Sequence, residues 1–181
     1  MLVTKPAKLV IERAGPHQVE DVLDILDEAA AWLTTQEIVQ WPASFRCPLD
    51  TDVQHDHVSE LRQAAADGQL WILRDAHRAL GTITITDQTD PEFAHGWPGG
   101  PGGALYLRKG AVRREAAGRG ARVLLEAVER EATLVGARKI RLDCAKRNPR
   151  LHEYYRSHGF RLVGLVDLPH RLSGALFERL L

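Results

Sequence analysis

The sequence predicts one mixed α/β domain over residues 1–181, with the element order β-α-α-β-β-β-α-β-α-β-β. Short apolar or alternating runs, bounded by Gly, Pro, Asn or Asp, recur along the chain and predict strands. Between them, apolar residues recur at helical spacing in segments long enough for amphipathic helices. No internal repeat is visible, which excludes a solenoid. The length is sufficient for one domain with a substantial core.

The N-terminal half predicts a strand, two helices and a β-hairpin. Pro16 is well placed at the start of the first helix, and Gly68 stops the second. Pro42 and Pro48 break the segment between the helices, which is predicted to be irregular. A turn at residues 75–78 closes the hairpin. The predicted bounds are residues 8–15 for the strand, 16–36 and 53–68 for the helices, and 69–75 and 78–88 for the hairpin strands.

The C-terminal half predicts a β-α-β unit over residues 104–144, with parallel strands and a right-handed crossover. Before it, residues 89–103 (TDPEFAHGWPGGPGG) hold three prolines and five glycines and predict an irregular surface loop whose mobility is an open question. Asn148 is the N-cap of a later short helix, which Gly159 follows. The remaining predicted bounds are 104–112, 138–145, 160–166 and 174–181 for strands, and 119–135 and 148–159 for helices.

Charge and cysteine content limit the function classes. Residues 1–103 hold 7 basic and 16 acidic residues, whereas residues 104–181 hold 17 and 8, although the whole chain is neutral. This asymmetry either favours an anionic ligand on the C-terminal half or reflects two halves that neutralise each other. Cys47 and Cys144 alone exclude a disulfide framework and a four-cysteine zinc site. With no signal-peptide pattern and no apolar run of membrane-spanning length, we expect a reduced, cytoplasmic protein.

A basic turn with two glycines joins a strand to a helix over residues 112–129 (VRREAAGRGARVLLEAVE). One interpretation is the dinucleotide-binding fingerprint G-x-G-x-x-G. Asp143, at the end of the next strand, lies where a ribose-binding acid would be, but Val123 occupies the position of the third glycine, so the fingerprint is not matched. A flexible connection is a second interpretation. A pyrophosphate cradle is the third, and the charge pattern favours it, because phosphate would offset cations that the helix dipole disfavours. The crowded arginines are Arg113, Arg114, Arg119 and Arg122.

A motif downstream of this turn identifies the family. Asn148, Tyr155, Gly159 and Phe160 have the spacing N-x6-Y-x3-G-F after the strand RLDC. With the turn included, residues 106–164 resemble the GNAT acetyltransferases, in a form typical of bacteria. The resemblance covers about a third of the chain.

The turn departs from the family's R/Q-x-x-G-x-G/A pattern in either register. In one register Ala117 stands at the R/Q position and Arg122 at the second small position. In the other, Gly118 and Gly120 are kept and Glu115 stands at the R/Q position. The amides that contact pyrophosphate therefore depend on the register.

The resemblance implies the GNAT fold, with a mixed central β-sheet flanked by helices, and an acetyl-coenzyme A-dependent N-acetyltransferase. It implies that pantetheine pairs with the strand end like an added strand, and that the basic turn and the helix start hold the pyrophosphate. Tyr155 is the implied acid for the departing thiolate, and Asn148 would bond the pantetheine arm. The implied cofactor-binding residues are Gly110, Ala111, Val112, Arg113, Arg114, Gly118, Arg119, Gly120, Ala121, Arg122 and Asn148. Gly110 also leaves room beside the strand or marks a bulge.

The expected acceptor is a primary amine of a small molecule, with a protein N-terminus or lysine as the alternative. Trp41, Tyr106 and Arg108 are predicted to line its site, whereas Trp32 has the helical spacing of a core residue. The acidic N-terminal half suggests a cationic acceptor. No general base is evident, and a water chain could replace one. The weak candidates are Asp87, Asp90, Glu92 and His95.

A non-catalytic acyl-coenzyme A sensor or regulatory module is the alternative function. A nucleic-acid partner is not expected, because the basic half lacks interleaved aromatic residues. The histidine spacing predicts no metal site, and no membrane partner is expected. The resemblance is consistent with a homodimer, for which the closing strands would be one interface.

Overall fold

The computed structural model describes residues 8–46 and 56–181. Within these residues the chain forms one seven-stranded sheet and four α-helices. The strands are β1 (Val10–Arg13), β2 (Leu70–Arg74), β3 (Ala79–Thr86), β4 (Ala104–Val112), β5 (Lys139–Ala145), β6 (Arg161–Leu165) and β7 (Ser173–Leu180). The helices are α1 (Val19–Thr35), α2 (His57–Ala66), α3 (Arg119–Leu134) and α4 (Pro149–Ser157). The predicted element order is confirmed; residues 47–55, which include Cys47 and the predicted start of the second helix, lie outside the described residues.

The sheet has the strand order β1-β2-β3-β4-β5-β7-β6, and only β4 and β5 pair in parallel. Alternation along each strand separates two cores. On one face, Ile83, Leu107 and Leu142 pack with α3 and with Tyr155 of α4. On the other face, Ile72 packs with α1 and α2. The mixed sheet with helices on both faces is the GNAT fold that the sequence predicted.

The sheet forks between its two parallel strands. β4 and β5 pair from Ala104↔Lys139 to Leu107↔Leu142, and their pairing ends there. Beyond that point β4 stays paired with β3, and β5 stays paired with β7. The edges of β4 and β5 that face each other are therefore unpaired beyond Leu107 and Leu142.

A bulge lies in β4 just past the fork. Thr84 pairs with Arg108 and Thr82 with Ala111, so Lys109 and Gly110 together oppose one residue of β3. Lys109 has a φ of 49°, in the left-handed region, which residues with side chains adopt at a cost. The bulge that Gly110 suggested is confirmed, and it turns the strand end away from β5.

The loop at residues 89–103 is more ordered than its composition predicts. Residues Pro91–Gly96 form a 3₁₀ helix, begun by the Asp90 side chain, which accepts a 3.0 Å hydrogen bond from the Glu92 N–H. Phe93 and Trp97 are buried against the sheet. The prediction of an irregular segment was wrong because these two aromatic residues give the loop its own apolar anchors.

The rest of the loop is held by one buried arginine of β5. Arg141 is fully buried, and its guanidinium lies 2.7 Å from a carboxylate oxygen of Glu178. It also donates hydrogen bonds to the carbonyls of Gly100 (2.7 Å) and Pro98 (2.9 Å). A third bond, of 3.1 Å, goes to the Tyr106 hydroxyl. Buried backbone carbonyls need such partners, so Arg141 fixes the path of a segment with little regular structure.

Candidate active site

The fork between β4 and β5 ends at the N-terminus of α3. Within the described chain, the backbone N–H groups of Gly118, Gly120 and Ala121 make no hydrogen bond to protein, as is usual in a first helical turn. These amides lie close to the end of the unpaired edge of β4, because the Gly120 backbone packs against Val112. An open strand edge followed by free amides fits an extended ligand with an anionic end.

Gly118 shapes this helix start. Its φ of 76° and ψ of −69° form a γ-turn, which the Arg119 N–H closes with a 2.9 Å hydrogen bond to the Ala117 carbonyl. This turn is rare and strained for residues with side chains. A Cβ added to Gly118 would have no heavy atom within 4 Å. The space over Gly118 is open to a ligand, and its backbone conformation requires glycine.

Gly120 has a packing role that the sequence did not reveal. A Cβ there would lie 2.8 Å from Cγ1 of Val112 and 3.0 Å from Cδ2 of Leu73. The residue is buried, so its α-hydrogens face the sheet. Gly120 lets α3 approach β4 and β2 closely.

The four arginines of the turn separate into two pairs. Arg113 forms an ion pair with Glu28 of α1, and its Nε donates a 3.0 Å hydrogen bond to the Ala79 carbonyl. Arg114 stacks on the ring of Trp32, 4.2 Å from its centroid. These two are engaged by protein, which corrects the expectation that both hold phosphate with their side chains.

Arg119 and Arg122 are exposed on the first turn of α3. The Arg122 N–H makes the first helical hydrogen bond, to the Gly118 carbonyl at 3.0 Å. Both guanidinium groups extend from the same turn as the unbonded amides. Arg122 is thus compatible with the helix and is positioned for an anion at its end.

Asn148 is buried, and both ends of its amide have protein partners. Its Oδ1 caps α4 by accepting from the Leu151 N–H at 3.1 Å, as the sequence predicted. Its Nδ2 donates a 2.7 Å hydrogen bond to Gln40, in the segment after α1. Asn148 therefore joins the two sides of the fork, and its side chain is not free for the pantetheine arm.

Tyr155 lies below the fork on the α3 and α4 face. Its ring contacts Phe160 and Phe177, with centroids 5.7 Å away in each case. Burial raises its pKa, and the nearby Cys144 and Asp143 raise it further. The hydroxyl therefore holds its proton at neutral pH, which is what a general acid requires.

The three predicted acceptor residues have different surroundings. Trp41 is half-buried against Phe45, with ring centroids 5.2 Å apart, and follows Gln40 at the fork. Arg108 is partly exposed, and its side chain donates a 3.1 Å hydrogen bond to the Gln88 carbonyl. Tyr106 is buried, and its hydroxyl donates to the Pro101 carbonyl at 2.7 Å. Tyr106 is thus a loop anchor, which corrects its assignment to the acceptor site.

Of the four candidate general bases near the loop, two carboxylates are hydrogen-bonded to basic side chains and the other two residues are exposed. Burial raises the pKa of Asp90, but hydrogen bonds from Arg171 and the Glu92 N–H hold it below its ordinary value. Hydrogen bonds from His170 and Arg171 lower the pKa of Glu92. Asp87 and His95 are exposed.

Trp32, expected in the core, is only half-buried under Arg114.

The opposite charges of the two halves meet in ion pairs. Glu28 pairs with Arg113, and Glu60 lies 2.7 Å from Lys109. The loop and the β6–β7 connection are joined by Arg171, which lies 2.8 Å from Asp90. Much of the acidic charge of the N-terminal half is thus neutralised internally, which weakens the argument for a cationic acceptor.

The described part of the chain contains neither a membrane-spanning helix nor a metal-binding cluster. No helix among residues 8–46 and 56–181 is long and apolar enough to cross a membrane. Over the same ranges, no group of three or more His, Cys, Asp or Glu residues is arranged to hold a metal ion.

Solved structures of acetyltransferases share this fold. One GNAT-family acetyltransferase from Listeria monocytogenes 4b F2365 superposes with a TM-score of 0.73 at 19% identity, covering 99% of each chain. A GNAT-family acetyltransferase from Streptococcus agalactiae 2603 gives 0.70 at 14% identity, covering 96% of this chain and 95% of its own. The PaiA N-acetyltransferase from Thermoplasma acidophilum, solved in complex with coenzyme A, gives 0.63 at 13% identity, covering 96% and 99%.

Sequence comparison assigns the family. No curated protein sequence matches significantly. Residues 31–160, however, match the model of the family described as the acetyltransferase (GNAT) family, and this range spans most of the chain. The protein is therefore an N-acetyltransferase and belongs to the GNAT acetyltransferase family.

Proposed function

We propose that the protein moves the acetyl group of acetyl-coenzyme A to a primary amine of a small molecule, with Tyr155 as general acid. The fork between β4 and β5, with the Tyr155 ring packed beneath it, is the observation that carries the proposal. Family members transfer acyl groups from coenzyme A, and one fold neighbour was solved with coenzyme A.

The free backbone groups support a binding mode for the acyl donor. Gly110, Ala111 and Val112 would pair with pantetheine along the open edge of β4. The amides of Gly118, Gly120 and Ala121 would receive the pyrophosphate, since a helix start offers unbonded donors and a favourable dipole. Exposed Arg119 and Arg122 would add charge-assisted hydrogen bonds. Arg113 and Arg114 would act by shaping the turn.

The reaction needs an acid because the departing thiolate must gain a proton. Tyr155 holds a proton at neutral pH, since burial raises its pKa. The N–H groups past the bulge in β4 would stabilise the carbonyl oxygen as it gains charge. Trp41 and Arg108 would line the acceptor site.

The test is a calorimetric titration with acetyl-coenzyme A, followed by thiol release over a panel of amines. In the Tyr155→Phe variant we expect turnover to fall at least about 100-fold with little change in coenzyme A affinity. Tyr154→Phe is the matched control, because it removes a hydroxyl from the adjacent ring. Unchanged turnover in Tyr155→Phe would remove Tyr155 as the acid. Coenzyme A binding without turnover on any amine would favour the sensor or regulatory module instead.

The proposal also covers the oligomeric state of the protein and its location in the cell. β6 is an edge strand, and Leu162 and Leu165 on it are exposed, which supports a homodimer through the closing strands. Light scattering after gel filtration measures the mass, and a monomer at micromolar concentration would contradict this. The proposed setting is the cytoplasm, and neither a nucleic acid nor a membrane is a proposed partner.

A further inference from the structure

The fork has a carboxyl group that the sequence did not single out for acetyl transfer. Asp143 is the first residue of β5 after its pairing with β4 ends at Leu107↔Leu142. Arg108 is the corresponding first residue of β4. The two residues therefore lie on opposite sides of the fork, one on each strand.

Strand alternation decides the face on which Asp143 lies. Leu142 and Cys144, its neighbours in β5, pack into the core that contains Tyr155. Asp143 therefore points to the other face, as do Arg108 and Tyr106 in β4. On the Tyr155 face the fork is covered by packed side chains, whereas Asp143 and Arg108 are both partly exposed. A second substrate can reach the fork from the Asp143 side.

The groups around Asp143 come from three segments. Ser173 of β7 lies close enough to its side chain to influence the pKa of the carboxyl, and Arg171 precedes that strand. Arg108 of β4 and Asp90 of the loop are also close enough to act on its charge. Arg171 is already paired with Asp90 and Glu92, so its positive charge is largely offset. Asp143 is consequently not committed to an ion pair of its own among the described residues.

We propose that Asp143 is the general base that accepts the proton of the acceptor amine, from the face of the sheet opposite Tyr155. The inference rests on the proposed function. As the neutral amine nitrogen forms its bond to the acetyl carbon it becomes positively charged, and as the C–S bond breaks it gives one proton to the Asp143 carboxylate. The Tyr155 hydroxyl gives its proton to the thiolate sulfur. The net change is one proton moved from nitrogen to sulfur, and Asp143 then returns its proton to Tyr155 through water.

Burial suits Asp143 for this role. Burial raises the pKa of its carboxyl, although the nearby Ser173 side chain and the charges of Arg171 and Arg108 oppose the shift. A carboxyl group with a raised pKa is a stronger base, and its pKa lies nearer the working pH. Because the base must be ionised, kcat/KM should fall as the pH drops through this raised pKa.

The first test does not depend on activity. Carbon NMR of protein labelled at aspartate carboxyl carbons gives the titration of Asp143, which is assigned by its loss in Asp143→Asn. We expect a midpoint clearly above about 3.9, the usual value for aspartate. A midpoint at or below that value would overturn the proposal.

The second test measures thiol release against pH, with an amine that the wild-type protein accepts. In Asp143→Asn we expect kcat/KM to fall about 100-fold or more at neutral pH, with coenzyme A affinity unchanged and the acidic limb of the profile lost. Asp167→Asn is the control, since Asp167 is an exposed carboxylate paired with Lys146.

Retention of the wild-type rate and acidic limb in Asp143→Asn would overturn the proposal. If that variant does not fold, Asp143→Glu keeps the carboxyl, and a displaced acidic limb is the expected result; an unmoved limb would count against Asp143. Failure of the proposed function is distinguishable, because in that case the wild-type protein acetylates no amine while the NMR titration still reports on Asp143.

Discussion

Two segments of this molecule that contain closely spaced glycines have opposite structural roles. Residues 97–103 are fixed by Arg141, which bonds two of their carbonyls from inside the sheet. Residues 113–121 include three amides without a protein partner, those of Gly118, Gly120 and Ala121, and the space above Gly118 is open. The difference teaches that glycine content does not distinguish a fixed loop from a ligand-binding turn. The two kinds of segment are distinguished by whether side chains from elsewhere in the fold hydrogen-bond to their backbone groups.

The largest expected effect comes from breaking the anchored segment. Arg141→Met leaves Glu178 buried without its partner and releases the loop carbonyls. We expect the free energy of unfolding to fall by about 3–5 kcal/mol, measured by urea denaturation. Arg138→Met is the control, because the Arg138 side chain is exposed.

A second variant sharpens this result. In Arg141→Met with Glu178→Leu, no charge remains buried, so part of the lost stability should return. A loss below about 1 kcal/mol in Arg141→Met alone would mean that the loop does not depend on this arginine.

The next effect separates the two glycines of the open turn. In Gly120→Ala the new methyl group meets Val112 and Leu73, so we expect a loss of about 1–3 kcal/mol in unfolding free energy. Coenzyme A affinity of the folded variant should change little. Gly102→Ala is the matched control in the other segment, since a Cβ there has no atom within 4 Å, and its effect should stay within about 0.5 kcal/mol. Equal stability of the two variants would contradict the packing role of Gly120.

Gly118→Ala tests the same turn from its open side. No clash is expected, but the backbone conformation is unfavourable with a side chain and costs about 1–3 kcal/mol. Relaxation of the γ-turn would move the free amides, so calorimetry should show coenzyme A binding weakened about tenfold. Unaltered affinity would show that these amides do not bind the pyrophosphate.

The smallest expected effect concerns charge alone. Arg122→Gln removes an exposed cation at the helix start, so coenzyme A affinity should fall by less than about fivefold, and less at high salt. Arg130→Gln is the control, because Arg130 is exposed on the same helix about 12 Å along its axis. An identical change in both variants would indicate a general charge effect.

The sequence predicted the fold well because the signals were local and periodic. Element order, the parallel pair and the bulge at Gly110 all followed from strand and helix patterns or from glycine placement. The 3₁₀ helix at Pro91–Gly96 was missed, since its stability depends on burial of Phe93 rather than on local propensity. Composition alone could not show that burial.

The candidate site was predicted less completely, for physical reasons. Alternation placed Tyr106 on the acceptor face but could not reveal that Arg141 and the loop cover it. Spacing identified Asn148 without showing its bond to Gln40, a residue distant in sequence. Asp143 drew attention only as a ribose-binding acid, because nothing local indicates that β4 and β5 separate beside it.

The Arg141 anchor also has a consequence for synthesis of the chain. Arg141 lies 41 residues after Gly100, whose carbonyl it bonds. At translation rates of about 5–20 residues per second, the loop leaves the ribosome roughly 2–8 seconds before its anchor does. During that interval the Gly- and Pro-rich segment has no partner for these carbonyls and is a target for proteases. Nascent chains stalled before residue 141 should therefore be cut in this loop, and chains released after β7 has formed should resist.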